Sequence, residues 1–314
     1  MYPKLTRLGS GKYSDIFRVD DGHEAFAMKV SYYREESVKE FAKRIRAGDE
    51  KGAKLAKNED AITISLKFSE VAKKMKERMI TPHFIHNYES VDIKGFVDRI
   101  PLLNKRANEL TPLQRKYNHV SFMELYDTDF TAFLSKASFD DDIARQLIFQ
   151  VVYSIAAAQR ILKDWRHNDL STNNVLVKRT DSSPCSYSIA GLTFFTNCPY
   201  FPAVIDYDFV NADVNRLRNN RVTSGRFKVS SKKNESYDVH FFLKSVMKCI
   251  TKNKLANIKE TNKFIRTLGL DDTDRCEKEM PKFTPLEIIK NPYFDILRTP
   301  GHVEHRYSIP LHQS

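Results

Sequence analysis

The residues best suited to chemistry in this 314-residue chain form one run: His167-Asn168-Asp169-Leu170-Ser171-Thr172-Asn173-Asn174-Val175-Leu176-Val177. They match H-x-D-L-x-x-x-N in order and spacing and pass into an apolar strand. A hydroxyl that attacks a phosphoryl group needs a carboxylate to accept its proton and align it, a part that Asp169 can fill. Asn174 can then offer an amide oxygen to a divalent cation. Downstream, Ala203-Val204-Ile205-Asp206-Tyr207-Asp208-Phe209 is an apolar strand that ends in a carboxylate, and Asp206 fits as a second metal ligand. Magnesium favours such oxygen donors and keeps several waters. The plainer readings are a polar loop with an Asx turn for the first segment and a strand-end cap for the second.

Two upstream segments agree with phosphate chemistry. Leu8-Gly9-Ser10-Gly11-Lys12-Tyr13-Ser14-Asp15-Ile16 sets two glycines at the tip between consecutive strands, where backbone N–H groups can approach polyphosphate. Ser14 stands where a third glycine would be usual, and an ordinary hairpin turn is the simpler explanation. In Phe26-Ala27-Met28-Lys29, alternation along a strand sets Ala27 and Lys29 on one face. Ala27 leaves room for a flat base, and Lys29 can reach the α- and β-phosphates if a carboxylate holds it.

The elements that must carry these groups follow from periodicity. Residues 5–33 read as β-strands around the turn Asp20-Asp21-Gly22, and residues 34–79 as mainly helical, with Ile62, Leu66, Val71 and Met75 at helical spacing. HFIHNYESV, GFVDRIPLL and HVSFMELY read as further strands, and Asp127-Thr128-Asp129 breaks the pattern. From the N-cap Asp140, the residues Ile143, Leu147, Ile148, Val151, Val152, Ile155 and Leu162 trace one long helical face. The expected class is therefore α+β, with a β-rich N-lobe containing one main helix and a mostly helical C-lobe.

Composition bounds the partners. Lys and Arg total 51 against 40 Asp and Glu, a formal charge of +11, which favours an anionic partner without choosing among nucleotide, nucleic acid, acidic protein and membrane surface. The basic clusters at Lys39 to Lys57 and Lys73 to Arg78 read as solvated helix faces in preference to a nucleic-acid contact. The N-terminus reads as lacking a signal peptide, and the apolar stretch near Leu147 to Leu162 is broken by Gln150, Ser154, Gln159 and Arg160, so no membrane span is expected. The cysteines Cys185, Cys198, Cys249 and Cys276 show neither zinc spacing nor a disulfide framework, which suits a reducing intracellular compartment.

Together these residues resemble the eukaryotic-like protein kinases over most of the chain. Glu124 and Tyr126, in Phe122-Met123-Glu124-Leu125-Tyr126, look like the adenine-binding hinge, with Met123 as gatekeeper, and Asn291-Pro292-Tyr293-Phe294 resembles the H-P-F-F element that closes many kinase domains. The nearest resemblance is to the haspin-like branch, including the divergent serine/threonine kinases of large DNA viruses. Asp206-Tyr207-Asp208 replaces D-F-G, a long insertion separates Asn174 from Asp206, no A-P-E follows, and Asp238 stands where kinases tether the catalytic loop from a buried helix.

The resemblance implies one two-lobed kinase domain, with the N-lobe at 1–124 and the C-lobe at 125–314, the latter carrying the insertion 178–203. It implies ATP as cofactor, with Leu8, Gly9, Gly11, Ile16, Ala27, Lys29, Glu124, Tyr126 and Leu176 around the nucleotide. It implies Mg²⁺, or Mn²⁺ in its place, on Asn174 and Asp206. The catalytic set is Asp169, Lys29 and Glu59, with Glu59 preferred over Glu70 and the residues around Glu36 as the partner of Lys29. The substrate is then a protein serine or threonine, acidic substrates suit the charge, and the protein is a monomer inside the cell, in host cytoplasm or virion if viral.

Three departures from the pattern qualify this. Asn168 replaces the arginine of H-R-D, which implies activity without activation-loop phosphorylation. Ser171 replaces the usual lysine that contacts the transferred phosphate, and Asp208 replaces a flexible glycine, which implies a restricted conformational flip. Two other function classes stay open on the same residues. The small-molecule kinases of the choline and aminoglycoside type share the H-N-D loop and I-D-Y-E-like motifs, and a pseudokinase or basic nucleic-acid-binding scaffold would fit Ser171, Asn168 and the lysine-rich helix.

Overall fold

The computed structural model describes residues 3–51, 61–135, 140–181, 184–213, 217–225, 229, 231–255, 257–270 and 283–310. The chain packs as two compact units, one formed by Met1–Ser69 with Ile85–Leu125 and the other by Glu70–Phe84 with Tyr126–Ser314. As expected from the order of strand and helix patterns, the architecture is α+β, β-rich toward the N-terminus and helical toward the C-terminus.

The first unit is built on a five-stranded antiparallel sheet in the order β1-β2-β3-β5-β4. Its strands are β1 (Lys4–Ser10), β2 (Ser14–Asp20), β3 (Ala25–Tyr32), β4 (Asn87–Lys94) and β5 (Tyr117–Met123). The β2–β3 turn forms where its sequence suggests. Asp20 and Asp21 accept hydrogen bonds from the N–H groups of Gly22, His23 and Glu24, and Gly22 supplies the positive φ of 91° that the reversal needs. Side chains directly opposite on antiparallel strands share a face, so Phe17, Met28, Val30 and Val120 fill the core on one side. Two helices follow β3: α1 (Glu35–Arg46) and α2 (Ala61–Glu77).

One expected strand is not a strand. GFVDRIPLL folds as two 3₁₀ turns, Val97–Arg99 and Pro101–Leu103, leading into the short helix Asn104–Glu109. Pro101 lacks the N–H a ladder needs. Val97 and Leu103, both fully buried in the first unit's core, pin the two turns there.

The second unit holds two three-stranded sheets among helices. One is β10-β7-β6, from β6 (Thr128–Asp129), β7 (Val175–Arg179) and β10 (Tyr200–Val204). The other is β11-β8-β9, from β8 (Cys185–Ile189), β9 (Leu192–Thr196) and β11 (His305–Ser308), the last pairing parallel with β8. The expected insertion thus contains a β8–β9 hairpin completed by a strand from much later in the chain.

At the centre runs α3 (Asp141–Ile161), capped by Asp140, whose side chain accepts the Ile143 N–H at 2.9 Å. Most of its circumference is buried, as suits a core helix. Two of its polar residues are bonded inside: Gln146 Oε1 accepts from the N–H groups of Asn197 and Cys198, and Ser154 Oγ lies 2.8 Å from Thr81 Oγ1. Among the described residues no helix is long and apolar enough to cross a membrane. Two further helices, α4 (Tyr237–Lys252) and α5 (Lys259–Thr267), pack nearby. The Asn291-Pro292-Tyr293-Phe294 element anchors α5: Tyr293 stacks on Phe264 at 4.2 Å, and Phe294 is fully buried.

Candidate active site

In the second unit, strand register brings the expected metal ligands to one end of β7 and β10. Val175 pairs with Val204, and the Ile205 N–H donates to the Asn174 carbonyl at 3.0 Å, so Asn174 and Asp206 leave adjacent strand ends. Asp206 is held in the left-handed region, φ 64° and ψ 71°, a conformation a non-glycine residue keeps only when its surroundings impose it. They do so through Tyr207, whose buried hydroxyl donates to the Val204 carbonyl at 2.7 Å and whose ring lies against Phe84 and His167.

The loop bearing Asp169 is tied down from three sides. The buried carboxylate of Asp238, on α4, accepts the His167 and Asn168 N–H groups at 2.8 and 2.9 Å, the tether expected of that residue. The Ile205 carbonyl can only accept, so His167 Nε2 carries the proton of the 2.9 Å bond between them. The Thr172 N–H donates to Ser245 Oγ on α4. Asn168 adopts φ 66°, which its residue type tolerates.

Asn174 Nδ2 donates to the Asp169 carbonyl at 2.7 Å and to its carboxylate at 3.3 Å. With the amide nitrogen so engaged, Oδ1 is turned away from Asp169. Asp169 is open to solvent, but partial enclosure of its carboxyl raises its pKa, the negative charges of Asp206 and Asp238 add to the rise, and His167 and the Asn174 amide oppose it. Burial likewise raises Asp238 against its two backbone donors.

These side chains fit a hard divalent cation by donor chemistry: a carboxylate and an amide oxygen at adjacent strand ends, the oxygen donors such an ion prefers. No group of three or more His, Cys, Asp or Glu capable of holding a metal by themselves occurs among the described residues.

The first unit carries the nucleotide-side candidates on one sheet face. Ile16 pairs with Lys29 across β2 and β3, Lys29 with Ser121, and Ala27 with Met123 across β3 and β5. Ala27 is buried and Lys29 half-buried. Leu8 is exposed on β1. The turn differs in detail from expectation: Gly9 lies within β1, opposite Ile16 beside a bulge, and only Gly11 sits in the loop. Neither glycine has a positive φ, and a Cβ at Gly9 would meet nothing within 4 Å. Neither position therefore needs glycine to relieve backbone strain. The Glu124 N–H donates to the His86 carbonyl. Tyr126, in the second unit, is buried with Lys178 Nζ 5.0 Å above its ring, and Leu176 is half-buried on β7. Glu59 lies outside the described residues.

Beyond the motif itself, several asparagine contacts of this segment are visible only in the fold. Asn168 Nδ2 donates to the Phe209 carbonyl at 3.0 Å, and the fully buried Asn219 donates through Nδ2 to the Asp208 carbonyl at 2.9 Å. Asn211 Oδ1 accepts the Asn219 N–H, while its backbone exchanges two hydrogen bonds with Arg166. Arg166 lies 3.8 Å from the centre of the Tyr237 ring. The segment that follows Asp206 is thus fastened by asparagines. An asparagine in a loop is common, and only the folded contacts set these apart.

Comparison with known proteins agrees with this arrangement. Residues 86–289 match the family described as poxvirus serine/threonine protein kinase. A protein of Acanthamoeba polyphaga mimivirus, provisionally named a serine/threonine-protein kinase, is 29% identical over 110 residues, 32% of this chain. The match spans 24% of that relative's length. The family match takes in Asp169, Asn174, Asp206 and Asp238 but stops short of the glycine turn and Lys29, which rest on their own residues. The catalytic-loop spacing, the aspartate delivered by β10 and the tether from α4 lie within the matched span, and on its extent the chain belongs to the poxvirus serine/threonine protein kinase family.

Proposed function

We propose that this protein is an ATP- and Mg²⁺-dependent serine/threonine protein kinase of haspin-like type. The observation that carries the reading is the union of Asp169, Asn174 and Asp206 at one end of β7 and β10, with Asn174 bonded to Asp169. Asp169 accepts the proton of the acceptor hydroxyl as that oxygen attacks the terminal phosphorus of ATP, and the P–O bond to the leaving ADP breaks in line. Asn174, by donating to Asp169, aims that carboxylate. Magnesium, when bound by Asn174 and Asp206, supplies neutralising charge to the phosphates. Lys29, half-buried on the first unit's sheet, serves the α- and β-phosphates; Glu59, the partner expected for it, lies outside the described residues. The glycine turn covers the phosphates, and Glu124 and Tyr126 receive the adenine.

The haspin-like assignment is supported by Asp206-Tyr207-Asp208 and by the β8–β9 hairpin inserted between β7 and β10. Independence from activation-loop phosphorylation is supported by the asparagine contacts: Asn168 holds the Phe209 carbonyl where a kinase arginine would await a phosphate, and Asn219 fixes the next turn. The locked Tyr207 supports a single conformation of the Asp206 segment.

The test is phosphate transfer from labelled ATP and magnesium to a basic protein such as histone and to acidic peptide libraries. Wild-type transfer is expected without prior phosphorylation, and Asp169→Ala should lower it by about 10²–10⁴-fold. Transfer to amino alcohols or aminoglycosides alone would instead mark a small-molecule kinase. No transfer at all, with nucleic-acid binding that weakens in salt, would mark a pseudokinase scaffold.

A further inference from the structure

In the first unit, a buried charge cluster lies directly behind the glycine turn. Asp15, fully buried on β2, pairs with Arg7, accepts the Tyr32 hydroxyl at 2.5 Å and lies 3.4 Å from Arg106 Nε. Arg106 uses each nitrogen differently. Nη1 donates to Glu109 at 2.8 Å, Nη2 donates to the carbonyls of Gly11 and Lys12 at 2.7 and 2.6 Å, and Nε faces Asp15. Arg7 also donates to Ser10 Oγ at 2.9 Å. The turn is therefore gripped at Ser10 by one arginine and at Gly11 and Lys12 by another, both joined to the same carboxylate.

The element that presents Arg106 is fixed by its own apolar residues. Leu103 and Ala107, four apart, are buried in the core with Phe17, Val30 and Tyr32, which leaves the Arg106 guanidinium 5.3 Å from the centre of the Tyr32 ring and only 14% exposed. Burial would raise Asp15, but its bonds to Tyr32, Ser10 and Arg7 outweigh that and lower its pKa, so the cluster keeps its carboxylate.

Orientation follows from peptide geometry. In a trans peptide the C=O and N–H point in opposite directions, and the described residues contain no cis bond. With the Gly11 and Lys12 carbonyls turned onto Arg106, the N–H groups of Lys12 and Tyr13 face the other way. We infer that Arg106 and Asp15 are positioning residues that preset the turn so that the Lys12 and Tyr13 N–H groups are offered to the phosphates of the nucleotide. The inference rests on the nucleotide-binding reading of that turn. It adds that the loop is organised before the nucleotide arrives, so that less ordering accompanies binding.

The test separates phosphates from base. ATP and adenosine are titrated calorimetrically into wild type, Arg106→Lys and Asp15→Asn, with thermal melts confirming that each is folded. Lysine has one nitrogen and cannot serve Asp15, Glu109 and two carbonyls together. The expected result is ATP binding about tenfold weaker in both variants, with adenosine affinity unchanged within about twofold. Equal weakening of ATP and adenosine, or no weakening in a folded Arg106→Lys, overturns the inference. A wild type that binds adenosine as tightly as ATP removes the kinase reading of the turn itself, a different failure that the wild-type titrations alone expose.

Discussion

A single histidine shows how far burial controls chemistry in this fold. His83 is fully buried, its Nδ1 3.0 Å from the Pro202 carbonyl and its Nε2 2.8 Å from the Tyr187 hydroxyl. The carbonyl only accepts, so Nδ1 holds the proton and Nε2 accepts from Tyr187. Burial lowers the His83 pKa from 6.5 to about 3, against the Pro202 bond. The unfolded chain takes up this proton first as pH falls, so the stability is fully present above 6.5 and is lost progressively below it. Wild type should lose about 2 kcal/mol relative to His83→Gln between pH 7 and pH 5 in urea melts, and parallel pH curves for the two would refute this. The motif residues, by contrast, were legible from the sequence, since His167 to Asn174 lie within one short segment. Arg106, Asp15 and Asn219 were not, because each is defined by a partner brought near only by folding.

Single elements in the second unit depend on caps drawn from elsewhere. Asp141, in the first turn of α3, accepts the Glu260 N–H at 3.0 Å and the Thr261 N–H and hydroxyl at 2.7 Å each, so it caps the start of α5. Thr261 is fully buried, and its hydroxyl also meets Tyr293 at 2.7 Å. Asp141→Ala leaves the buried Thr261 N–H without its acceptor and should cost about 2 kcal/mol, while Asp141→Asn, which keeps an acceptor oxygen, should cost less. Equal denaturation midpoints for wild type and the alanine variant would show that the cap carries no stability. Helices such as α3 could be read because Asp140 and the apolar spacing are local signals. The run GFVDRIPLL could not, since an apolar stretch without a period does not distinguish a strand from two turns anchored by Val97 and Leu103.

At the scale of the whole molecule, the fold class follows from the order of strand-like and helix-like patterns, but its longest connections do not. His305 to Ser308 pair with Cys185 to Ser188, and Tyr307 stacks on Tyr187 at 5.4 Å within an aromatic cluster that includes His83, Phe149 and Tyr153. Alternation within either segment reveals nothing of the other. A chain ending at Glu304 should lose this strand and ring, lowering the second unit's stability by about 3 kcal/mol or more in a urea melt. A truncated chain with an unchanged midpoint would show the pairing to be incidental. The same parallel contact bears on biosynthesis. A polypeptide emerging from the ribosome completes Asp169, Asn174 and Asp206 long before residues 305–308 exist, so the β8–β9 hairpin waits with β8 lacking one neighbour. The time between making that hairpin and supplying its last strand is when the nascent protein is most exposed to mispairing or to capture by a chaperone.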